Sequence, residues 1–178
     1  MRLRPMSYLP VMALLVLLMG STSADAAKIY LSPDTVRLTG VVPPTEIDFE
    51  LRVDAATQDI KLFQMVFAFD VTKLDTNAVD AAHIKEGPLF PAAGQTVFNF
   101  RLATSPTYGR VLVVEGLILG YQISADGPGV LATIKLKVTD TGKISFTAVS
   151  HETRDLNNAV FASDAYGAVI FVNYPPLD

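Results

Sequence analysis

The chain has 178 residues, half of them hydrophobic, and a formal net charge of −4. This mild negative charge argues against nucleic acid or an anionic membrane as the partner. The chain contains no cysteine, which excludes disulfides, thiolate nucleophiles and cysteine metal sites, and its length suffices for one well-buried domain.

The N-terminal segment predicts export. Arg2 and Arg4 precede a short apolar run, and small residues ending in Ala24-x-Ala26 follow it. This order is typical of a secretory signal peptide, and the run is too short to span a bilayer comfortably. We therefore expect a signal peptide over residues 1–26 and a mature protein that is secreted, either extracellular or periplasmic, without a membrane anchor. An uncleaved N-terminal anchor is the alternative.

Apolar and polar residues alternate in several short stretches after this segment, which predicts strands. Residues 28–31 and 35–38 form a strand that is broken at Pro33, and such a strand is expected at a sheet edge. Residues 46–54 show the cleanest alternation, with one charged side. They predict an antiparallel strand that is buried on one face only.

The stretch 59–70 is predicted to be the central strand. Its core side carries four large apolar residues: Phe63, Met65, Phe67 and Phe69. Its other side is only mildly polar: Leu62, Gln64, Val66 and Ala68. Aromatic side chains in a row on one face can anchor two sheets against each other.

The middle of the chain is less regular. Residues 76–85 fit either a weak strand or a short helical turn, and residues 87–91 predict a loop that buries Leu89 or Phe90. Residues 97–102 alternate as a strand. Residues 110–119 are apolar on both sides, which predicts a strand covered on both faces, or on one face by a partner. A buried helix is the alternative there, but the β-branched residues favour a strand.

The last third predicts three more strands, at residues 130–138, 143–148 and 168–172, with a hairpin-type turn at residues 140–142. No amphipathic helix of useful length follows the signal segment. About nine short strands at these turn spacings predict an all-β sandwich.

Four motifs, taken in order, resemble those of cohesin domains, the receptor modules of cellulosome scaffoldins. They are Phe69-Asp70 followed by Leu74, with Val71 where the family has proline; Gly87-Pro-Leu-Phe90; Gly127-Pro-Gly-Val-Leu-Ala-Thr-Ile134; and Asp155-Leu-Asn-Asn158 followed by Val160. The resemblance implies a nine-stranded jelly-roll β-sandwich, related to carbohydrate-binding modules. We expect this domain over residues 27–173, with residues 174–178 as a C-terminal tail.

The resemblance also implies a function, because cohesins bind dockerins through one sheet face. That face includes the outward side of the central strand, where well-known members carry Asn and Asp at the positions of Leu62 and Gln64. This chain has neither. The residues expected on its face are Leu62, Gln64, Val66, Val113 and Glu115. Such an apolar patch is typical of an interaction site, and the alternative is that residues 76–85 cover it.

A carbohydrate-binding module is the second hypothesis, with a polysaccharide as its ligand. Tyr108, Tyr121 and Tyr166 lie in or near predicted loops and are the residues expected to stack on sugars. The absence of tryptophan weakens this hypothesis, because flat aromatic platforms favour tryptophan.

Catalytic chemistry is not expected, and neither a metal nor another cofactor is implied. His83 and His151 are far apart, and no second histidine or carboxylate is apparent at ligand spacing, so both are expected to be surface residues. Glu86 with Glu115, or Glu50 with Asp155, would be a glycosidase pair only by chance in a chain with this many acids. The sequence therefore predicts a non-catalytic binding protein.

Overall fold

The computed structural model describes residues 27–175. Its strands are β1 (Ala27–Ser32), β2 (Thr35–Leu38), β3 (Thr45–Val53), β4 (Leu62–Phe69), β5 (Ile84–Glu86), β6 (Thr96–Ser105), β7 (Gly109–Ile118), β8 (Gly129–Val138), β9 (Gly142–Arg154), β10 (Ser163–Tyr166) and β11 (Ala168–Val172). A 3₁₀ turn at Thr76–Ala78 and helix α1 at Leu89–Ala93 lie between β4 and β6.

The strands form two sheets that pack face to face around one apolar core. The five-stranded sheet has the order β10-β1-β3-β8-β5, and the six-stranded sheet has the order β2-β11-β9-β4-β7-β6. The predicted all-β sandwich is therefore confirmed. The strand count differs from the expected nine, because residues 27–175 form eleven. The additional strands are short, and three or four residues give no readable alternation.

Strand β4 lies in the interior of the six-stranded sheet, between β9 and β7. Phe63, Met65 and Phe67 are completely buried, as the alternation predicted, while Phe69 near the strand end is only partly buried. The ring of Phe67 stacks on Phe146 of β9 with 4.6 Å between the centroids. These contacts make β4 the centre of the core.

The chain crosses between the sheets at one corner of the sandwich. β1 belongs to the five-stranded sheet and β2 to the six-stranded sheet, and β10 and β11 run parallel beside them. Gly167 lies at the second crossing, where a Cβ would approach the carbonyl oxygen of Phe146 to 2.1 Å. Only glycine allows the strands to pass this closely. The broken strand was expected at a sheet edge, and β2 does lie at one. The expectation is wrong for residues 28–31, because β1 lies between β3 and the short strand β10, which covers its other side.

Two local expectations are wrong. The turn at residues 140–142 does not close a hairpin, because β8 pairs with β3 and β5 whereas β9 pairs with β4 and β11. The turn instead joins the two sheets. Residues 87–91 do not form a plain loop, since α1 begins at Leu89, although the predicted burial of Phe90 is confirmed.

No helix within residues 27–175 is long and apolar enough to cross a membrane. The predicted signal peptide, residues 1–26, lies outside the described residues, as do residues 176–178.

Candidate functional site

The outward face of the six-stranded sheet, called the outer face below, is organised in rows that run across its strands. The register of β9, β4, β7 and β6 places a polar row at its centre: Glu152, Gln64, Glu115 and Asn99. One neighbouring row has an apolar middle: Arg154, Leu62, Leu117 and Val97. The other neighbouring row does as well: Ser150, Val66, Val113 and Arg101.

Glu115 is the centre of a hydrogen-bond network in the polar row. Gln64 donates to one carboxylate oxygen at 2.9 Å, and Asn99 donates to the other, also at 2.9 Å. The guanidinium of Arg101 lies 2.6 Å from that second oxygen and forms an ion pair with it. Both oxygens of the carboxylate therefore have partners within the face.

The negative charge of Glu115 is stabilised by its neighbours. Burial alone would raise the pKa of this carboxyl, but the hydrogen bonds from Gln64, Asn99 and Arg101 outweigh burial and lower the pKa below its ordinary value. Glu115 is consequently ionised at neutral pH, which keeps the three donors oriented.

An apolar groove of about 260 Å³ lies beside this network. Leu62, Leu117 and Val97 line it, and the backbone at Gly116 contributes to its wall. Val97 is 51% exposed, so its side chain is available for contact. The groove therefore offers apolar surface immediately next to a polar network that is already satisfied.

Contrary to the prediction, Val113 contributes almost nothing to this surface. It lies on the outer face between Val66 and Arg101 in register, yet it is only 5% exposed. Arg101, its register partner on β6, forms its ion pair with Glu115, two residues along β7 from Val113. Leu62, Gln64, Val66 and Glu115 are half-buried and reach the surface.

Residues 76–85 do not cover this face, so that alternative is wrong. The backbone N–H of Asp75 donates to the carbonyl of Lys137, and β5 pairs with β8. This segment therefore packs against the five-stranded sheet. Within residues 27–175, nothing lies across the rows around Gln64.

The opposite face of the sandwich has a different character. The outward side of the five-stranded sheet is charged on β3 and β8: Glu46, Asp48, Glu50, Arg52, Lys135 and Lys137. Lys135 pairs with Glu46 at 3.2 Å, and its hydrogen bond lowers the pKa of that carboxyl. Such a surface is typical of a solvated sheet face. The apolar rows are thus a feature of the outer face and not of this one.

The three tyrosines of the carbohydrate hypothesis do not form one platform. Tyr108 lies in the turn before β7, and Tyr121 lies beyond the other end of that ten-residue strand. Tyr166 belongs to β10 of the other sheet. A strand of this length spans roughly 30 Å, so a single short ligand cannot contact both Tyr108 and Tyr121.

The two histidines serve structural contacts. His83 lies in the segment before β5, and its Nδ1 is 2.6 Å from Asp80 while its Nε2 is 3.6 Å from Glu46. The expectation that His83 lacks a carboxylate neighbour was therefore wrong, because a turn brings Asp80 back onto it. His151 contacts the carbonyl of Ser163. In the described part of the chain, no group of three or more histidine or carboxylate side chains is arranged to hold a metal ion.

The two carboxylate pairs considered for glycosidase chemistry, Glu86 with Glu115 and Glu50 with Asp155, each have other contacts. Glu86 accepts a hydrogen bond from Thr96, and Glu115 is held in the polar row. Glu50 pairs with its strand neighbour Arg52, while Asp155 accepts hydrogen bonds from backbone N–H groups of its own turn. Each carboxylate therefore has a partner outside its pair, although the second oxygen of Glu86 is buried without one among the described residues.

The residues that sequence reasoning missed are those that complete the outer face: Val97, Asn99, Arg101 and Leu117. The sequence contained the signal, since residues 97–102 alternate as a strand and every second side chain of a strand points outward. These outward residues were not connected to Glu115, because that connection requires the register of β6 on β7.

No protein-family model matches the sequence, and no curated protein matches it either. Solved structures do match. A non-cellulosomal cohesin from the archaeon Archaeoglobus fulgidus superposes with a TM-score of 0.57 at 13% identity, covering 83% of this chain and 91% of that one. A chain of a type I cohesin–dockerin complex from Clostridium thermocellum gives a TM-score of 0.61 at 14% identity, covering 83% and 99%.

A third match is the sixth cohesin of scaffoldin B from Acetivibrio cellulolyticus, solved in complex with a dockerin. Its TM-score is 0.56 at 17% identity, and the alignment covers 83% of this chain and 99% of that one. Identities this low support a statement about the fold alone. The resemblance found in the sequence motifs and the superposition of the whole domain agree: the chain has the fold of cohesin domains.

Proposed function

We propose that this chain is a secreted, non-catalytic binding module that takes a dockerin-like protein module on its outer face. The observation that carries the proposal is the apolar surface on both sides of the polar row, where Leu62, Leu117 and Val66 flank the satisfied Glu115 network. Contiguous apolar surface bordered by polar groups is typical of protein interaction sites.

The hydrogen bonds that Glu115 already accepts favour the binding of a partner over this row. A buried carboxylate without hydrogen bonds is costly, and a partner would have to supply the missing donors. Here Gln64, Asn99 and Arg101 already supply them to Glu115. A partner can therefore cover the row without leaving an unpaired charge beneath it.

The proposed partner class follows from the fold and the face together. Two of the matching cohesins were solved in complexes with dockerins. In this chain Leu62 and Gln64 stand where well-known cohesins carry Asn and Asp. We therefore propose a dockerin-like module that meets Leu62 with apolar side chains rather than with hydrogen-bonding groups.

A binding panel tests the proposal. The purified protein is titrated calorimetrically with dockerin modules that differ in the apolar content of their contact surface, with an unrelated calcium-binding module as control. We expect a complex with at least one apolar dockerin and none with the control module. Absence of binding across the whole dockerin panel would remove the proposed partner class.

Export is the second part of the proposal, and it rests on the charged start and the Ala24-x-Ala26 sequence. We expect the mature protein recovered outside the cytoplasm to begin at Ala27 or Lys28. N-terminal sequencing of that product measures this directly, and a product that begins at Met1 would contradict the prediction.

A further inference from the structure

A second groove lies at one end of the outer face, away from the Glu115 row. It has a volume of about 340 Å³ and is formed where the β6–β7 turn meets the ends of β4 and β9. One wall is the ring of Tyr108, and the polar lining comes from Asp70, Lys143, Ser145 and Thr147. Its lining is mainly polar, unlike that of the groove beside Leu62.

The polar groups of this groove point to a ligand that forms hydrogen bonds. Ser145, Thr147 and Lys143 are exposed, and their side chains have no hydrogen-bond partner within residues 27–175. Asp70 is held in place, because one of its oxygens accepts from the backbone N–H and the hydroxyl of Thr72, at 2.9 and 2.7 Å. The site thus combines a positioned acceptor with free hydroxyl groups and one ammonium donor.

Thr147 also lines a second, larger cavity of about 490 Å³ at the corner where the strands change sheets, and the lining of this cavity is mainly apolar. Tyr30 and Tyr166 line this cavity and are neighbours in the β1–β10 pairing, and Asp34 adds a carboxylate. A path that leads from Tyr108 past Thr147 to Tyr166 therefore has a tyrosine ring at each end, with the hydroxyl groups of the first groove along it.

We propose that this path, from Tyr108 past Thr147 to Tyr166, binds a neutral oligosaccharide chain. The apolar faces of pyranose rings fit against tyrosine rings, which offer rigid contact area with a polar tip. The hydroxyl groups of the sugar can donate hydrogen bonds to Asp70 and exchange them with the hydroxyl groups of Ser145 and Thr147. Opposite charges on Asp70 and Lys143 favour a neutral ligand over an ion. This site is separate from the proposed protein-binding rows.

The probes are four hexasaccharides, cellohexaose, xylohexaose, mannohexaose and maltohexaose, titrated into the full-length mature protein. The chain has no tryptophan, so tyrosine emission reports binding alongside calorimetry. We expect at least one hexasaccharide to bind. Tyr108→Ala should weaken that binding roughly tenfold, as expected for the loss of one aromatic contact.

Tyr121→Ala is the matched control, because Tyr121 is 88% exposed and lies outside the path. We expect it to bind like the wild type, whereas Thr147→Val, which removes only a hydroxyl, should weaken binding. Sugar binding should also survive Val66→Asp in the protein-binding rows, which separates this proposal from the previous one. No binding of any of the four sugars, or equal losses in Tyr108→Ala and Tyr121→Ala, would overturn the inference.

Discussion

Phe67→Ala is expected to lower the free energy of unfolding by roughly 3–5 kcal/mol, the range measured for buried Phe truncations. Phe67 is 0% exposed and lies on β4, which is paired on both sides. Its ring stacks on Phe146 with only 15° between the ring planes. Truncation would remove this contact and leave a cavity that two flanking strands prevent from collapsing.

Urea denaturation of the wild type and Phe67→Ala measures this difference. Phe69→Ala is a useful comparison, because Phe69 stands on the same strand but is only partly buried, with its ring 6.1 Å from that of Phe146. A smaller loss is expected there. If Phe67→Ala cost less than about 1 kcal/mol, as surface changes usually do, Phe67 would not belong to the core.

The inward side of each long strand could be predicted from the sequence because side chains alternate with a period of two. Phe63, Met65 and Phe67 are buried for this reason. Strand pairing is a different kind of information. The residues around Asp140 and Gly142 have the composition of a hairpin turn, and only the competition among all strands for partners places β8 and β9 in different sheets.

The candidate face could be predicted only in part. Gln64, Val66 and Glu115 do lie next to each other, because they alternate outward on strands that pair. The burial of Val113 could not be predicted, because the alternation only places this residue on the outward side of β7. The same holds for the Glu115 network, whose donors come from two strands at a register that no local pattern encodes.

Val66→Asp is expected to weaken binding of the dockerin-like partner by more than roughly 100-fold, the scale of a hot spot at the centre of an interface. Val66 is half-buried and lies between Val113 and Ser150 in its row. The added carboxylate is hydrated in the free protein, but it is desolvated when a partner covers it. Arg101, the nearest cation across the row, is already engaged by Glu115. The new charge would therefore be buried without a partner.

The free protein should tolerate Val66→Asp, with a loss of unfolding free energy below about 1 kcal/mol, because the new carboxylate stays hydrated. Thr133→Asp is the matched control: it places the same charge on the outward face of the five-stranded sheet, between Glu50 and Lys85 in register. We expect Thr133→Asp to bind like the wild type. A thermal melt and a titration on each variant decide the matter. If Val66→Asp unfolded the domain, the face would be packed internally, whereas unchanged binding with an unchanged melt would place the partner elsewhere on the sandwich.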